Sequence, residues 1–232
     1  EARNYATALQ HATKRLNQAG RSRQNLSLDL IRSLHESLME AGRTDDDDPR
    51  PGKFRSEYVW IEEANDSGYG TSVRFVPPKA STARSKMADF ETYMQSDGAY
   101  PALIDIGLLH YQLETVHPFV DGNGRVGRLL IVLLLIASDI LSQPLFYLSS
   151  YIRRNRDTYT DLLLSVNEEG DWNAWLEFFL GGIRAQADEA FGRAKLLLAL
   201  RTDYRERYSD ASPSVQALAD ATFVDPIFTV SE

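Results

Sequence analysis

Nine consecutive apolar residues, Leu129 to Ala137, follow directly on His117-Pro118-Phe119-Val120-Asp121-Gly122-Asn123-Gly124-Arg125-Val126-Gly127-Arg128, which packs a base, an acid, an amide, three glycines and two arginines into twelve residues. A run this short falls far below the ~20 residues a membrane span needs. It reads instead as a helix over 126–140, buried on all sides, around which the other elements must be arranged. Before the polar stretch, Ile104, Leu108 and Tyr111 mark another helix. That helix must end near His117, because Pro118 disfavours helical geometry in the residue before it. A loop dense in chemistry between two apolar helices is where a site is expected.

The remaining pattern is mostly helical. Tyr5, Leu9, Ala12 and Leu16 form one stripe over 4–18, and Gly20 stops it. Ser27 caps a second helix carrying Ile31, Leu34 and Leu38, with Gly42 placed to end it. His35 on that helix reads as a partly buried surface histidine, and Asp45-Asp46-Asp47-Asp48 as a solvated turn whose like charges repel. Tyr58-Val59-Trp60-Ile61 and Val73-Arg74-Phe75-Val76 are β-prone and frame a polar segment, which predicts a hairpin over about 58–76. Met87, Phe90 and Met94 mark a further helix, and Ser149 is placed to cap one carrying Ile152, Tyr159 and Leu163. Asp171 caps one with Trp172, Trp175, Leu176 and Phe179 at helical spacing. Gly181-Gly182 then separates it from a long helix over 183–207. The expected class is all-α with one small β-hairpin. The expected divisions are an N-terminal helical region (1–50), a core (51–190) and a C-terminal helical segment (191–232).

Composition narrows the function classes. The net charge of −8 over 232 residues argues against a general nucleic-acid surface. The chain has no cysteine, which excludes disulfides and favours a reducing compartment, so the expected location is the cytoplasm. No membrane association is expected.

Three nucleotide or metal motifs compete for the loop, and each fails on context. Gly122-Asn123-Gly124-Arg125-Val126-Gly127 spells the dinucleotide fingerprint, but a helix rather than a strand leads into it. A kinase glycine loop lacks the partner motifs that kinases need. An EF-hand starting at Asp121 would place Arg125 at a ligand position and Val132 where the bidentate Glu belongs. What survives is a glycine-rich turn running into a helix, whose backbone N–H groups converge on an anion site. Arg125 and Arg128, three residues apart, can grip oxyanions together. Asp121 offers a hard oxygen suited to Mg²⁺, and His117 can accept a proton from an attacking hydroxyl. His110 reads as a packed histidine rather than a metal ligand.

These twelve residues resemble the signature of the Fic-domain family, H-x-F-x-[D/E]-G-N-G-R-x-x-R. The resemblance extends through Pro51-Gly52-Lys53-Phe54-Arg55, His110-Tyr111-Gln112, Asn155-Arg156-Asp157-Thr158-Tyr159 and Asp171-Trp172, covering about 50–185. It implies a Fic-type helical fold with the hairpin as a flap. It also implies transfer of AMP from ATP to a Tyr, Thr or Ser hydroxyl of a target protein lying along that flap. His117 would be the general base, Asp121 the Mg²⁺ ligand and Phe119 the buried anchor. Asn123 with the amides of Gly122 and Gly124 would stabilise the transferred group, and Arg125 and Arg128 would hold the pyrophosphate end. Gly127 belongs to the same nucleotide-binding set, and Asn155 and Tyr159 match pocket-lining positions. A homodimer, and a winged helix beyond the C-terminal segment, are expectations of the resemblance alone. Thr160 departs from it, standing where a second aromatic often follows. Ser165-Val166-Asn167-Glu168-Glu169-Gly170 fits the family's inhibitory string [S/T]-x-x-x-E-[G/N] but lies at an ordinary connection, so it reads as coincidence. Two alternatives stay open: a nucleotide-sensing regulator without catalysis, and a Fic-type phosphotransferase.

Overall fold

The computed structural model describes residues 2–39, 50–64, 70–144 and 146–223. The acidic turn 45–48, Gly42 and the hairpin tip 65–69 lie outside the described residues. Two compact units form, Glu1–Ile183 and Arg184–Glu232. The first holds the helices α1 (Ala2–Ala19), α2 (Leu28–Met39), α3 (Ala80–Gln95), α4 (Ala102–Val116), α5 (Asn123–Ala137), α6 (Ser149–Arg154) and α7 (Arg156–Glu169), with strands β1 (Ile61–Ala64) and β2 (Thr71–Phe75). Helix α8 (Trp172–Arg207) begins in the first unit and continues in the second, where α9 (Pro213–Ala221) follows. In the second unit Arg201 and Arg205 both pair with Asp220. No described helix is long and apolar enough to cross a membrane.

The apolar run behaves as the sequence requires. Helix α5 packs against α1, α2 and α4, and every residue from Leu129 to Ala137 is buried. It starts at Asn123 rather than 126, because Gly122 takes a left-handed conformation (φ 80°) and its carbonyl accepts from the Val126 N–H at 3.0 Å. Ser27 caps α2 as expected, its Oγ accepting from Leu30 N–H at 3.2 Å.

Three expectations change. The strands are 61–64 and 71–75, so Tyr58 and Trp60 are not strand residues; both are exposed, and the Trp60 indole donates to Glu62. The single helix expected after Ser149 is two, divided at Asn155 (φ −123°), whose amide donates to Tyr151 O at 2.9 Å. Gly181-Gly182 does not break α8. A Cβ on Gly182 would stand 2.7 Å from the Tyr151 ring, so the glycine is there for close packing of α6 on an unbroken helix.

Candidate active site

Helix α4 ends where Pro118 forces it to, and His117 caps it in a left-handed conformation (φ 48°, ψ 62°). This turns the chain and leaves the last carbonyls without intrahelical partners. Arg55, only 1% exposed, collects them. Its guanidinium donates to His117 O at 2.7 Å, Val116 O at 3.3 Å and Glu57 O at 3.0 Å, and also to Pro78 O. Its backbone N–H reaches Pro118 O at 2.8 Å. A buried cation at a helix C-terminus is also favoured by the helix dipole.

The loop beyond is fixed from two sides. Phe119 is fully buried and its ring stacks on His35, centroids 3.9 Å apart and nearly parallel at 2°. Asn123 closes the turn reciprocally: its Oδ1 accepts from Phe119 N–H at 2.8 Å and its Nδ2 donates to Phe119 O at 3.0 Å. His35 Nδ1 accepts from Gly52 N–H at 2.9 Å, so its Nε2 carries the hydrogen and donates to Asp121 O at 2.9 Å. Burial holds its pKa below the ordinary value, which keeps this tautomer neutral. His35 is therefore no surface histidine. It is a fully buried strut that spans residues 52 and 121.

His117 is suited to act as a base. Its Nδ1 lies 3.2 Å from the Glu114 carbonyl, which can only accept, so Nδ1 bears the hydrogen and Nε2 presents a lone pair. Burial again lowers the pKa below the ordinary value, opposed by the nearby carbonyl and the Asp121 charge. The ring is thus neutral and proton-accepting at pH 7.

Asp121 is exposed. Its Oδ1 accepts from Gly122 N–H at 2.6 Å and its Oδ2 pairs with Arg125 at 2.7 Å. Arg128 donates from Nε to Ser149 Oγ at 3.1 Å. Both arginines line a cleft of about 780 Å³, joined there by Arg153, Arg156, Tyr159 and Thr160, with Tyr5 and Tyr147 forming an aromatic wall, ring centroids 5.8 Å apart. Four arginines around one cleft give it the charge and the donors that oxyanions require. Among the described residues no group of three His, Cys, Asp or Glu is placed to hold a metal ion. Mg²⁺ needs few protein ligands, and one exposed carboxylate beside an anion cleft fits it as a single ligand.

Under the arginines lies a buried polar layer that the sequence reading did not single out. Glu114 is almost enclosed, and burial pushes its carboxyl up to about 7 against the pull of Arg128. Its neighbours are His110, whose Nε2 is 3.0 Å from the Tyr159 hydroxyl, and Gly127. Burial takes His110 down to about 3, so it stays neutral, and Trp175 stacks beside it.

Of the expected site residues, Arg125, Arg128 and Tyr159 line the cleft, and Asp121 reaches it through Arg125. Gly122 provides the turn and Gly124 opens onto the Arg128 guanidinium, 3.0 Å from where its Cβ would be. Three others are engaged within the fold. The Asn123 side chain is engaged with both backbone groups of Phe119, which leaves one Nδ2 hydrogen and its backbone N–H for an anion. Gly127 has no room for a side chain, since a Cβ would stand 2.7 Å from Glu114 Oε1 and 3.1 Å from His110, so it seats the buried layer. Asn155 caps α6 and is not among the cleft residues. The Ser165–Gly170 string is the end of α7, with Gly170 as its left-handed cap and Glu169 exposed. Arg55 was legible only as part of a quoted run; a lone arginine followed by no helix was its sole signal.

Residues 25–135 match the Fic/DOC family. The chain is 33% identical over 131 residues to a uridine 5'-monophosphate transferase of Xanthomonas campestris pv. campestris (strain 8004), a match covering 53% of this chain and 23% of that protein. It is 30% identical over 129 residues to a protein adenylyltransferase Fic of Aedes aegypti, covering 55% and 22%. The chain thus spans less than a quarter of the length of these two relatives. Its fold resembles the crystal structure of a Fic family protein from Desulfovibrio desulfuricans G20, with a TM-score of 0.65 at 23% identity, over 97% of this chain and 65% of that one.

Proposed function

We propose, from the match of residues 25–135 to the Fic/DOC family, that this chain transfers a nucleoside monophosphate, AMP from ATP in the first instance, to a Ser, Thr or Tyr hydroxyl of a target protein. The observation that carries this reading is a neutral, proton-accepting His117 on the same loop as two arginines that line an anion cleft. In the proposed reaction the target oxygen attacks the α-phosphorus, and His117 Nε2 takes the hydroxyl proton. The bond from the α-phosphorus to the oxygen bridging to the β-phosphorus breaks, and pyrophosphate leaves with that electron pair. Arg125 and Arg128 bind the phosphate oxygens, and the N–H groups at the start of α5 stabilise the developing charge. Mg²⁺, held by Asp121, would neutralise phosphate charge when bound. Such transfer depends mainly on alignment and charge stabilisation, which suits a loop fixed by Arg55, His35 and Asn123 before any ligand arrives. The β1–β2 hairpin would hold the target segment by backbone pairing.

A second reading concerns the base alone. The relative at 33% identity is named for UMP, and Thr160 lines the cleft where the family often has an aromatic. Incubation with ATP and UTP, each labelled at the α or γ position, tests both readings. Transfer of α-label from ATP to protein is the expected result, and transfer from UTP alone would move the assignment to UMP. Transfer of γ-label would make it a phosphotransferase. Nucleotide binding without any transfer would favour a sensor.

A further inference from the structure

Glu114 carries a buried carboxyl that the transfer chemistry above does not use. Groups on four elements surround it. On α4, its own helix, His110 Nε2 stands 3.9 Å from its Oε1, and its backbone carbonyl accepts the His117 Nδ1 hydrogen at 3.2 Å. On α7 the Tyr159 hydroxyl donates to its carboxyl and lies 3.0 Å from His110 Nε2. On β2, Arg74 shares a small cavity with it but is paired to Glu63 and Asp161. On α5 the relevant residue is Gly124. A Cβ built there would stand 3.7 and 3.8 Å from the two Glu114 oxygens and 3.0 Å from Arg128 Nη1. The carboxyl and the guanidinium thus flank one glycine. Arg128 is hydrogen-bonded to Ser149, lines the cleft, and forms no direct ion pair among the described residues.

Burial disfavours the Glu114 carboxylate, and the Arg128 charge opposes this. Attraction of this kind is felt equally by both partners. An oxyanion settling on Arg128 offsets the cation and adds a like charge, and both effects favour the protonated carboxyl. We propose that Glu114 is the internal counter-ion of Arg128, and that an oxyanion bound in the cleft takes over this role and drives a proton onto the Glu114 carboxyl. By reciprocity, a protonated Glu114 strengthens oxyanion binding. The effect belongs near neutral pH. Burial holds Glu114 at about 7, whereas His110 and His117 lie below 6.5 and Tyr159 well above 10.0. Only oxyanion binding at Arg128 is shared with the transfer reading, so the test needs no nucleotide.

Inorganic sulfate is the probe, because it stays a dianion throughout this range and cannot be transferred. The full chain, isotopically labelled at its glutamate carboxyl carbons, is titrated by NMR in chloride and in sulfate of equal ionic strength. Glu114→Gln identifies the Glu114 signal by its loss. The midpoint of that signal should lie about one pH unit higher in sulfate, roughly a tenfold gain in proton affinity. Arg128→Gln should raise the midpoint already in chloride and remove the effect of sulfate. In calorimetry the parent should bind sulfate about fivefold more tightly at pH 6.5 than at pH 8.5. Glu114→Gln should bind equally at both, and more tightly than the parent at pH 8.5. The inference is overturned if sulfate binds and the midpoint does not rise, or if Glu114→Gln keeps the parent's dependence on pH; the transfer reading survives either result. Absence of sulfate binding would instead remove the oxyanion site, and both readings with it.

Discussion

His117 must be held rigidly and yet keep one nitrogen free. The chain solves this by holding its backbone rather than its ring: Arg55 grips the carbonyls of residues 116 and 117, and only Nδ1 is engaged. Arg55→Ala would leave several buried carbonyls unsatisfied and open a cavity. It should lower unfolding free energy by about 3 kcal/mol or more, read as a fall in the urea midpoint. A loss below about 1 kcal/mol would mean that the loop is held by Phe119 and Asn123 alone. The twelve-residue motif was readable because its residues act on one another within a single turn. Arg55, His35 and Glu114 were not, because their partners are brought by the fold from distant parts of the chain, such as Arg55 to His117 across 62 positions. Asn123 and Gly127 show the converse limit, since position in a motif does not say which way a side chain or a missing one faces.

Among the elements, α5 was set by its own apolar run, but α8 was misdivided at its glycines. Local propensity treats a glycine pair as a stop, whereas Gly182 is fixed by the Tyr151 ring of another helix. Two substitutions in the same helix separate these causes. Gly182→Ala forces a Cβ to 2.7 Å from that ring and should destabilise by about 1–3 kcal/mol despite the better helix former. Gly192→Ala meets nothing within 4 Å and should stabilise by about 0.5–1 kcal/mol. Thermal melts of the two variants should move in opposite directions. Equal stabilisation by both would show that α6 does not pack on α8 as described. The hairpin ends escaped the sequence for a related reason: aromatic residues favour strands in general, but Tyr58 and Trp60 have no partner strand opposite them.

For the molecule as a whole, burying four titratable groups around one site couples stability to pH. His35, His110 and His117 all titrate below the ordinary 6.5 when folded. Below pH 6.5 the unfolded chain therefore holds more protons, and stability falls as pH drops toward the folded values. Glu114 acts in the opposite sense. Raised from 4.5 to about 7, its carboxyl contributes stability that is fully present below pH 4.5 and lost as pH rises through 7. Three histidines outweigh one glutamate, so the urea midpoint should drop between pH 6.5 and 5. Glu114→Gln removes the opposing group and should make that drop steeper. A midpoint that rises toward pH 5 would contradict the burial of these histidines.

The most direct measurement is the rate of α-label transfer by His117→Ala, at saturating ATP, relative to the parent chain. General-base catalysis of this kind contributes at least ~100-fold. The rate should fall by that factor or more, while ATP affinity and the urea midpoint stay close to those of the parent. A rate within a few-fold of the parent would remove His117 as the base and, with it, the proposed division of labour in the loop.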